Sequence, residues 1–188
     1  MESKKIYQTL EDRDNPDQIE QEGPFPCSWN NSWLGTGHYF WDTFIENAHW
    51  WGNTRLNGNY VICEAHFDFS SDTCFDLVGN TQHMIDFENS IKLMKSKNLL
   101  QNKTTVARVL SYMQKTLKIF DYKAIRVYGV HSKSKHLKPN YLMKFELDKP
   151  QYLDYKPAIQ LCVYHLGGLN FRDFNIVYPY DYVSGYVV

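Results

Sequence analysis

The segment Gly35-Thr36-Gly37-His38-Tyr39-Phe40-Trp41 has the residue types and spacing that suit the binding of a planar ligand. Glycine at positions 35 and 37 lets the backbone approach a flat group closely or adopt a positive φ, because glycine has no Cβ. The aromatic rings that follow could stack on that group. Thr43 and Glu46 fit a capping box, which predicts that a helix begins directly after the aromatic residues. The alternative interpretation of the segment is a hairpin followed by a core helix.

Two further patches place an amide side chain in strand-like surroundings. The first, Lys5-Ile6-Tyr7-Gln8-Thr9-Leu10, has the pattern of a strand. In the second, Gln160 follows Pro157 and leads the apolar run Leu161-Cys162-Val163. A glutamine amide can donate and accept hydrogen bonds at once, so either side chain could hold a ligand hydroxyl. The alternatives are an ordinary edge strand around Gln8 and a buried structural hydrogen-bonding role for Gln160.

The three patches resemble the NAD-binding motifs of ADP-ribosyltransferases of the poly(ADP-ribose) polymerase and diphtheria-toxin type. In that family a Gly-x-Gly-x-Tyr-Phe segment carries a tyrosine that stacks on the nicotinamide of NAD, and Tyr39 matches it, with the small residue Ala48 nine positions later. Gln8 stands where the family has a histidine that contacts the adenosine-side ribose. Gln160 stands where the family has a glutamate, sometimes a glutamine, that holds the ribose 2′-hydroxyl. A neutral amide stabilises an oxocarbenium-like state less than a carboxylate does, so these departures bear on catalysis.

This resemblance implies an NAD-dependent mono-ADP-ribosyltransferase, a small bacterial toxin or effector that modifies a macromolecule, either a protein or a nucleic acid. It implies Gln160 and Tyr39 as catalytic residues, NAD as the substrate, and an antitoxin or immunity protein as a further partner. The NAD-binding residues that it implies are Tyr7, Gln8, Thr9, Gly37, His38, Tyr39 and Ala48. Two alternatives stay open: a catalytically inactive binding protein of the same fold, and an unrelated hydrolase that uses His66 and Asp68.

Composition sets the remaining limits on function and location. The 188 residues suffice for one domain spanning 1–188, and the net charge of −1 provides no overall attraction to nucleic acid. Aromatic residues make up 16% of the chain, which suits stacking on planar ligands but also follows from an AT-rich genome. The cysteines show no metal-binding spacing, which predicts no metal site and a reducing, cytoplasmic location. No apolar run approaches the length of a membrane span, and a protein delivered into a target cell's cytoplasm would share these features.

Hydrophobic periodicity predicts an α+β domain. Residues 60–69 alternate as a strand does, with Val61, Cys63, Ala65, Phe67 and Phe69 on one side. Two amphipathic helices follow, one with an apolar face from Met84 to Met94 and one with an apolar face from Val106 to Leu117.

The resemblance implies a particular version of this fold class, with split antiparallel β-sheets, a helical lobe and NAD held between two small sheets. We therefore expect the strands that contain Gln8, Tyr39 and Gln160 to converge on one cleft. We expect the Tyr39 ring to face that cleft. Phe40 or Trp41 should point into the core instead, because neighbouring strand residues face opposite ways.

Overall fold

The structure, a computed structural model, describes residues 2–27, 32–129 and 141–183. Within these ranges the strands and helices are β1 (Glu2–Glu11), α1 (Pro16–Glu22), β2 (His38–Asp42), α2 (Ile45–Arg55), β3 (Tyr60–Phe69), β4 (Cys74–Asp76), α3 (Thr81–Ser96), α4 (Val106–Tyr112), β5 (Ala124–Tyr128), β6 (Leu142–Lys144), β7 (Tyr152–Asp154), β8 (Ile159–Val163) and β9 (Arg172–Tyr178). A π-helical turn (Met113–Leu117) continues α4, and a short 3₁₀ helix (Tyr180–Tyr182) follows β9. The α+β class expected from the sequence is confirmed.

Seven of the strands form one sheet, in the order β4-β5-β8-β2-β1-β3-β9. Each neighbouring pair in it is antiparallel except β4 and β5, which are parallel. The strands β6 and β7 form a separate two-stranded sheet. This arrangement differs from the expected pair of small antiparallel sheets, because β1 and β2 join the two halves into one.

The junction between β1 and β2 is the shortest antiparallel ladder of the main sheet. Only Ile6 with Asp42 and Tyr7 with Trp41 pair across it. Directly before β2, Gly37 pairs with Cys27 and not with β1, in an isolated bridge of two backbone hydrogen bonds. The main sheet is therefore continuous but narrow at its centre.

The helix α2 begins without the capping box that the sequence predicts. Its N-cap residue is Phe44, and no side chain caps the helix. Thr43 instead adopts a positive φ of 64°, and its hydroxyl donates to Asp42 Oδ1 at 2.8 Å. The prediction of a capping box at Thr43 and Glu46 is wrong, because the chain turns sharply at Thr43 before the helix starts.

The sheet has two differently covered faces. One face, which we call the helix face, carries a row of side chains that are directly opposed across neighbouring strands: Val127, Gln160, Trp41 and Tyr7. The helices α2, α3 and α4 pack on it through two apolar clusters. The other face, which we call the opposite face, buries Ile6, Phe40 and Leu161 beneath Leu166, Leu169 and Phe171. The gap between α2 and α4 on the helix face is where the candidate site lies.

Across the described ranges, every helix is too short or too polar to reach from one side of a bilayer to the other.

Candidate functional site

A cavity of about 600 Å³ opens on the helix face of the sheet. Pockets that bind small molecules and cofactors commonly have volumes of roughly 300–1,000 Å³. The floor comes from β2, β5 and β8, and the walls come from the beginning of α4 and from the segment that precedes the aromatic motif. The lining residues are Ser32, Trp33, Leu34, Trp41, Leu77, Thr105, Val106, Ala107, Val127, Tyr128, Gly129, Ala158 and Gln160.

Gln160 lies at the centre of the cavity floor. On β8 it is directly opposite Trp41 of β2 on one side and Val127 of β5 on the other. Its side-chain oxygen, Oε1, is buried and has no hydrogen-bond partner among the residues that the structure describes. A buried carbonyl oxygen without a donor costs free energy, typically about 1–3 kcal/mol. A ligand that presents a hydroxyl or an N–H group to this oxygen would remove that cost.

Trp41 forms the aromatic part of the floor. It is only 5% exposed and packs edge-on against Trp50 of α2, with the ring centroids 6.3 Å apart. Trp51 contacts it from the same helix at 6.1 Å. These contacts hold the indole in place, so Trp41 offers a rigid flat surface. The sequence predicts Phe40 or Trp41 in the core, and Phe40 is buried on the opposite face. Trp41 lies beside Gln160 because β2 pairs with β8, and no local signal in the sequence marks that pairing.

Tyr39 shares the helix face with Trp41 but lies outside the cavity lining. Its hydroxyl donates to Gly35 O at 2.6 Å and accepts from Leu34 N at 2.9 Å. The ring packs beneath α3 and α4, and burial raises the pKa of the hydroxyl. The Tyr39 hydroxyl therefore anchors the segment around Leu34, which forms a wall of the cavity. The expectation that the Tyr39 ring faces the cleft is wrong.

Gln8 makes a closed pair of hydrogen bonds with the backbone of Phe25. Its Nε2 donates to Phe25 O at 2.8 Å, and its Oε1 accepts from Phe25 N at 3.0 Å. The residue is 4% exposed, so this amide fastens the 25–27 segment to β1.

The expectation that Gln8 and Gln160 share one cleft is wrong. Their strands lie close together, separated only by β2. However, Tyr7 is the residue of β1 that pairs with Trp41, which in turn pairs with Gln160, so these three side chains share the helix face. The side chain of the next residue, Gln8, therefore projects from the opposite face. The adenosine-side contact expected of Gln8 is thus not available in this structure.

Tyr7, Thr9 and Ala48 join β1 to α2 beside the cavity. Tyr7 packs with Trp41 and Ala48 in one buried cluster. Burial, followed by the charge of Glu64, raises the pKa of the Tyr7 hydroxyl. The hydroxyl of Thr9 donates to Ala48 O at 3.1 Å. These three residues support the cavity floor from the side, although none of them is among its lining.

Gly37 and His38 make contacts with the protein itself. A Cβ at Gly37 would come within 2.6 Å of Cys162 Sγ, so glycine is required here by the close approach of β8. His38 Nδ1 lies 3.2 Å from Val163 O on the opposite face. The structure thus brings Gln160 into the cavity and leaves Tyr7, Gln8, Thr9, Gly37, His38, Tyr39 and Ala48 in supporting positions.

The cavity lining contains no aspartate or glutamate among the described residues. The nearby carboxylate of Glu46 is paired with Lys156. Burial would raise the pKa of Glu46, but the hydrogen bond from Lys156, a backbone hydrogen bond and the charges of Lys156 and His49 together outweigh it and lower the pKa. Glu64 is two strands away from Trp41 and is paired with Lys5 at 2.9 Å. Polar chemistry in the cavity therefore depends on the Gln160 amide and on backbone groups.

His66 and Asp68, the pair considered for a hydrolase, belong to an ion-pair network between β3 and the region of β9. Asp68 accepts from Asn170 and from Arg172, each at 3.0 Å, and these bonds lower the pKa of its carboxyl group. His66 Nδ1 lies 3.6 Å from Asp173 Oδ2. Within the described parts of the chain, no group of three or more metal-ligating side chains is placed to hold an ion. Hydrogen bonds and an ion pair account for Asp68, whereas His66 Nδ1 is buried without a hydrogen-bond partner among the described residues.

No family model, curated protein or solved structure matches the chain. The geometry of the cavity and the three-patch resemblance of the sequence are therefore the observations that bear on function.

Proposed function

We propose that the cavity binds the nicotinamide end of NAD and that the protein is an NAD-dependent mono-ADP-ribosyltransferase. The observation that carries this proposal is the pairing of Trp41 with Gln160 on the cavity floor. Gln160 is the residue that matches the family's late-strand position. Trp41 belongs to the aromatic motif but lies two residues after Tyr39, which matches the family's tyrosine, so a different ring of the motif would make the stack in this proposal. Two such patches meeting in one pocket of suitable volume support a common ligand.

The chemistry of the two side chains suits the nicotinamide riboside. The indole of Trp41 offers a flat apolar surface, and stacking of aromatic rings adds about 0.5–1.5 kcal/mol beyond the area that is buried. The unpartnered Oε1 of Gln160 can accept a hydrogen bond from the ribose 2′-hydroxyl. The bond between nicotinamide and ribose C1′ then breaks, and its electron pair leaves with nicotinamide. A nucleophile of the acceptor attacks the oxocarbenium-like C1′ and loses its proton to solvent.

The acceptor is a macromolecule in this proposal, a protein or a nucleic acid, as expected of a toxin or effector with an antitoxin or immunity partner. Transfer of a single ADP-ribose is favoured over chain elongation because the cavity lining lacks a carboxylate. The same lack favours a second candidate, an NAD-binding protein of this fold that performs no transfer. The amide of Gln8, occupied by Phe25, also favours this second candidate.

Release of nicotinamide separates the two candidates. The protein is incubated with NAD labelled on its nicotinamide, with and without a cell lysate as a source of acceptors. We expect release by the parent and a drop on the order of 100-fold in Gln160→Ala, the usual effect of removing one preorganised hydrogen-bonding group. Gln101→Ala, a change at an exposed glutamine, is the matched control and should behave as the parent. Binding of NAD without release favours the second candidate, and equal release by Gln160→Ala contradicts the role of Gln160.

A further inference from the structure

A buried ion-pair triad lies behind the cavity, on the opposite face of the sheet. Arg126 of β5 donates from Nε to Asp42 Oδ2 at 2.5 Å and from one terminal nitrogen to Asp76 Oδ1 at 3.2 Å. The side chains of Asp42, Asp76 and Arg126 are 2%, 7% and 14% exposed. Three charges are therefore withdrawn from water within the sheet.

Each member of the triad is the chain neighbour of a residue that lines the cavity. Asp42 follows Trp41, Arg126 precedes Val127, and Asp76 precedes Leu77. Neighbouring strand residues point to opposite faces, so a side chain that is fixed behind the sheet fixes the backbone of the residue in front of it. Leu77 N also donates to Arg126 O at 2.9 Å, so Asp76 and Leu77 are bonded to β5 through the backbone of Arg126 as well.

The triad also bridges the strand that carries Gln160. In the sheet, β8 lies between β5 and β2, so Arg126 must reach across β8 to contact Asp42. The residue of β8 beneath it is Leu161, which pairs with Arg126 on one side and with Phe40 on the other. The ion pair therefore braces the three strands that form the cavity floor.

The chain beside Asp42 is held in an unusual conformation. Phe44 N donates to Asp42 O at 2.7 Å across Thr43, whose φ is 64°. Such a turn is uncommon for a β-branched residue and persists only where surrounding contacts hold it. Here the Thr43 hydroxyl donates to Asp42 Oδ1, and Thr43 N donates to Lys5 O at 2.9 Å. The position of Asp42 is thus fixed by its own loop as well as by Arg126.

Asp76 is fixed in the same way at the other end of the triad. Its carboxylate accepts from Val78 N at 2.9 Å and from Gly79 N at 3.1 Å, and its own backbone N–H donates to His83 Nδ1 at 2.8 Å. Burial would lower the pKa of Arg126, but the charges of Asp42 and Asp76 and their hydrogen bonds together outweigh it and raise the pKa. Arg126 is thus held between two side chains that are themselves fixed by other contacts.

Net stabilisation does not explain such a triad well, since the cost of removing charges from water offsets most of their attraction. We propose that Asp42, Arg126 and Asp76 are positioning residues that hold Trp41, Val127 and the strand of Gln160 in the geometry that binds the ligand. The geometric part of this inference concerns the cavity itself. The choice of NAD as the titrated ligand rests on the proposed function.

Two variants test the triad. In Asp42→Asn/Arg126→Met/Asp76→Asn all three charges are removed together, so no buried charge is left unpaired. In Arg126→Lys the charge stays but the two-pronged contact is lost. Arg172→Lys is the matched control, because Arg172 contacts Asp68 at 3.0 Å elsewhere on the sheet. Each protein is labelled with 5-fluorotryptophan, and the ¹⁹F signal of Trp41 is assigned by its loss in Trp41→Phe.

We expect the neutral triple variant to unfold cooperatively and to show a shifted or broadened Trp41 signal. Its dissociation constant for NAD should rise roughly 10-fold or more, the scale at which supporting contacts tune a site. Arg126→Lys should lie between the parent and the triple variant, and it carries the test alone if the triple variant does not fold. The control should match the parent in both measurements.

The inference is overturned if the ¹⁹F signal of Trp41 in the triple variant has the same position and width as in the parent. If only Arg126→Lys folds, the same result in that variant overturns it. If the parent itself gives no response to NAD, the proposed function fails, while the Trp41 signal still decides the positioning role. The two failures are therefore distinguishable.

Discussion

Replacement of Gln8 or of Gln160 by methionine should have different effects on the free energy of unfolding. Methionine keeps the length and unbranched shape of glutamine but cannot replace its amide hydrogen bonds. Gln8→Met removes both bonds to Phe25 and leaves a backbone N–H and a backbone carbonyl without partners. Gln160→Met removes an oxygen that has no partner in the described part of the chain.

The magnitudes follow from these contacts. A buried group left without its partner costs about 1–3 kcal/mol. Two groups are left without partners at Phe25, which is only half-buried, so we take about 1–2 kcal/mol for each and expect Gln8→Met to lower the free energy of unfolding by about 2–4 kcal/mol. For a chain of this length, each 1 kcal/mol lowers Tm by about 2–4 °C, which gives a fall of roughly 5–15 °C. Gln160→Met should not destabilise the protein and should raise the free energy of unfolding by up to about 1–3 kcal/mol, because it removes a buried oxygen that has no partner among the described residues.

Urea and thermal unfolding, followed by circular dichroism, measure both variants under the same conditions. Equal stabilities of Gln8→Met and Gln160→Met would refute the assignment of Gln8 to a structural clamp. The same series should show that Gln8→His, which restores the family's residue, is destabilising, because one imidazole cannot replace both bonds to Phe25.

Three further predictions follow from buried polar groups. Tyr39→Phe should cost about 1–3 kcal/mol of unfolding free energy, because Leu34 N and Gly35 O lose their partner; an unchanged stability would contradict the anchoring role of the hydroxyl. Cys27 is the half-buried cysteine and the other three are buried, so a thiol reagent at mildly alkaline pH should modify Cys27 rapidly and the rest only after unfolding, whereas rapid labelling of folded Cys27→Ser would contradict this burial. Burial lowers the pKa of His49 below its unfolded value of about 6.5. The neutral imidazole therefore stabilises the fold above that pH, and this contribution is lost as the pH falls through the folded pKa. His49→Gln should flatten the dependence of stability on pH in this window, and an unchanged slope would show that other groups cause it.

Local patterns in the sequence predicted local structure well. The alternation of residues 60–69 became β3 (Tyr60–Phe69), with Val61, Cys63, Ala65 and Phe67 buried as expected. The two amphipathic patterns became α3 and α4 with its π-helical turn, and Met94, Val109, Leu110 and Met113 are buried, whereas Met84 and Val106 at the start of the two faces are exposed. These predictions succeed because each apolar face is encoded within one segment and must be buried against something.

The features that sequence reasoning missed depend on pairing between distant segments. The face on which Gln8 lies is set by the pairing of Tyr7 with Trp41 and of Trp41 with Gln160, and a shift by one residue would reverse it. The Arg126 triad joins three strands that are far apart in the chain, and no spacing within the sequence marks it. Of the candidate site, the sequence thus predicted Gln160 and the aromatic motif, but not which ring of the motif reaches the cavity.

Titration of the isotope-labelled protein with NAD, followed by NMR, tests the central claim most directly. The side-chain amide signals of Gln160 and the indole N–H signal of Trp41 should shift together and saturate at the same NAD concentration, because both groups line the cavity. The amide signals of Gln8 should stay in place, because that side chain is bonded to Phe25 on the opposite face. Shifts of the Gln8 amide without shifts at Gln160 and Trp41, or no shift at all on addition of NAD, would contradict the account.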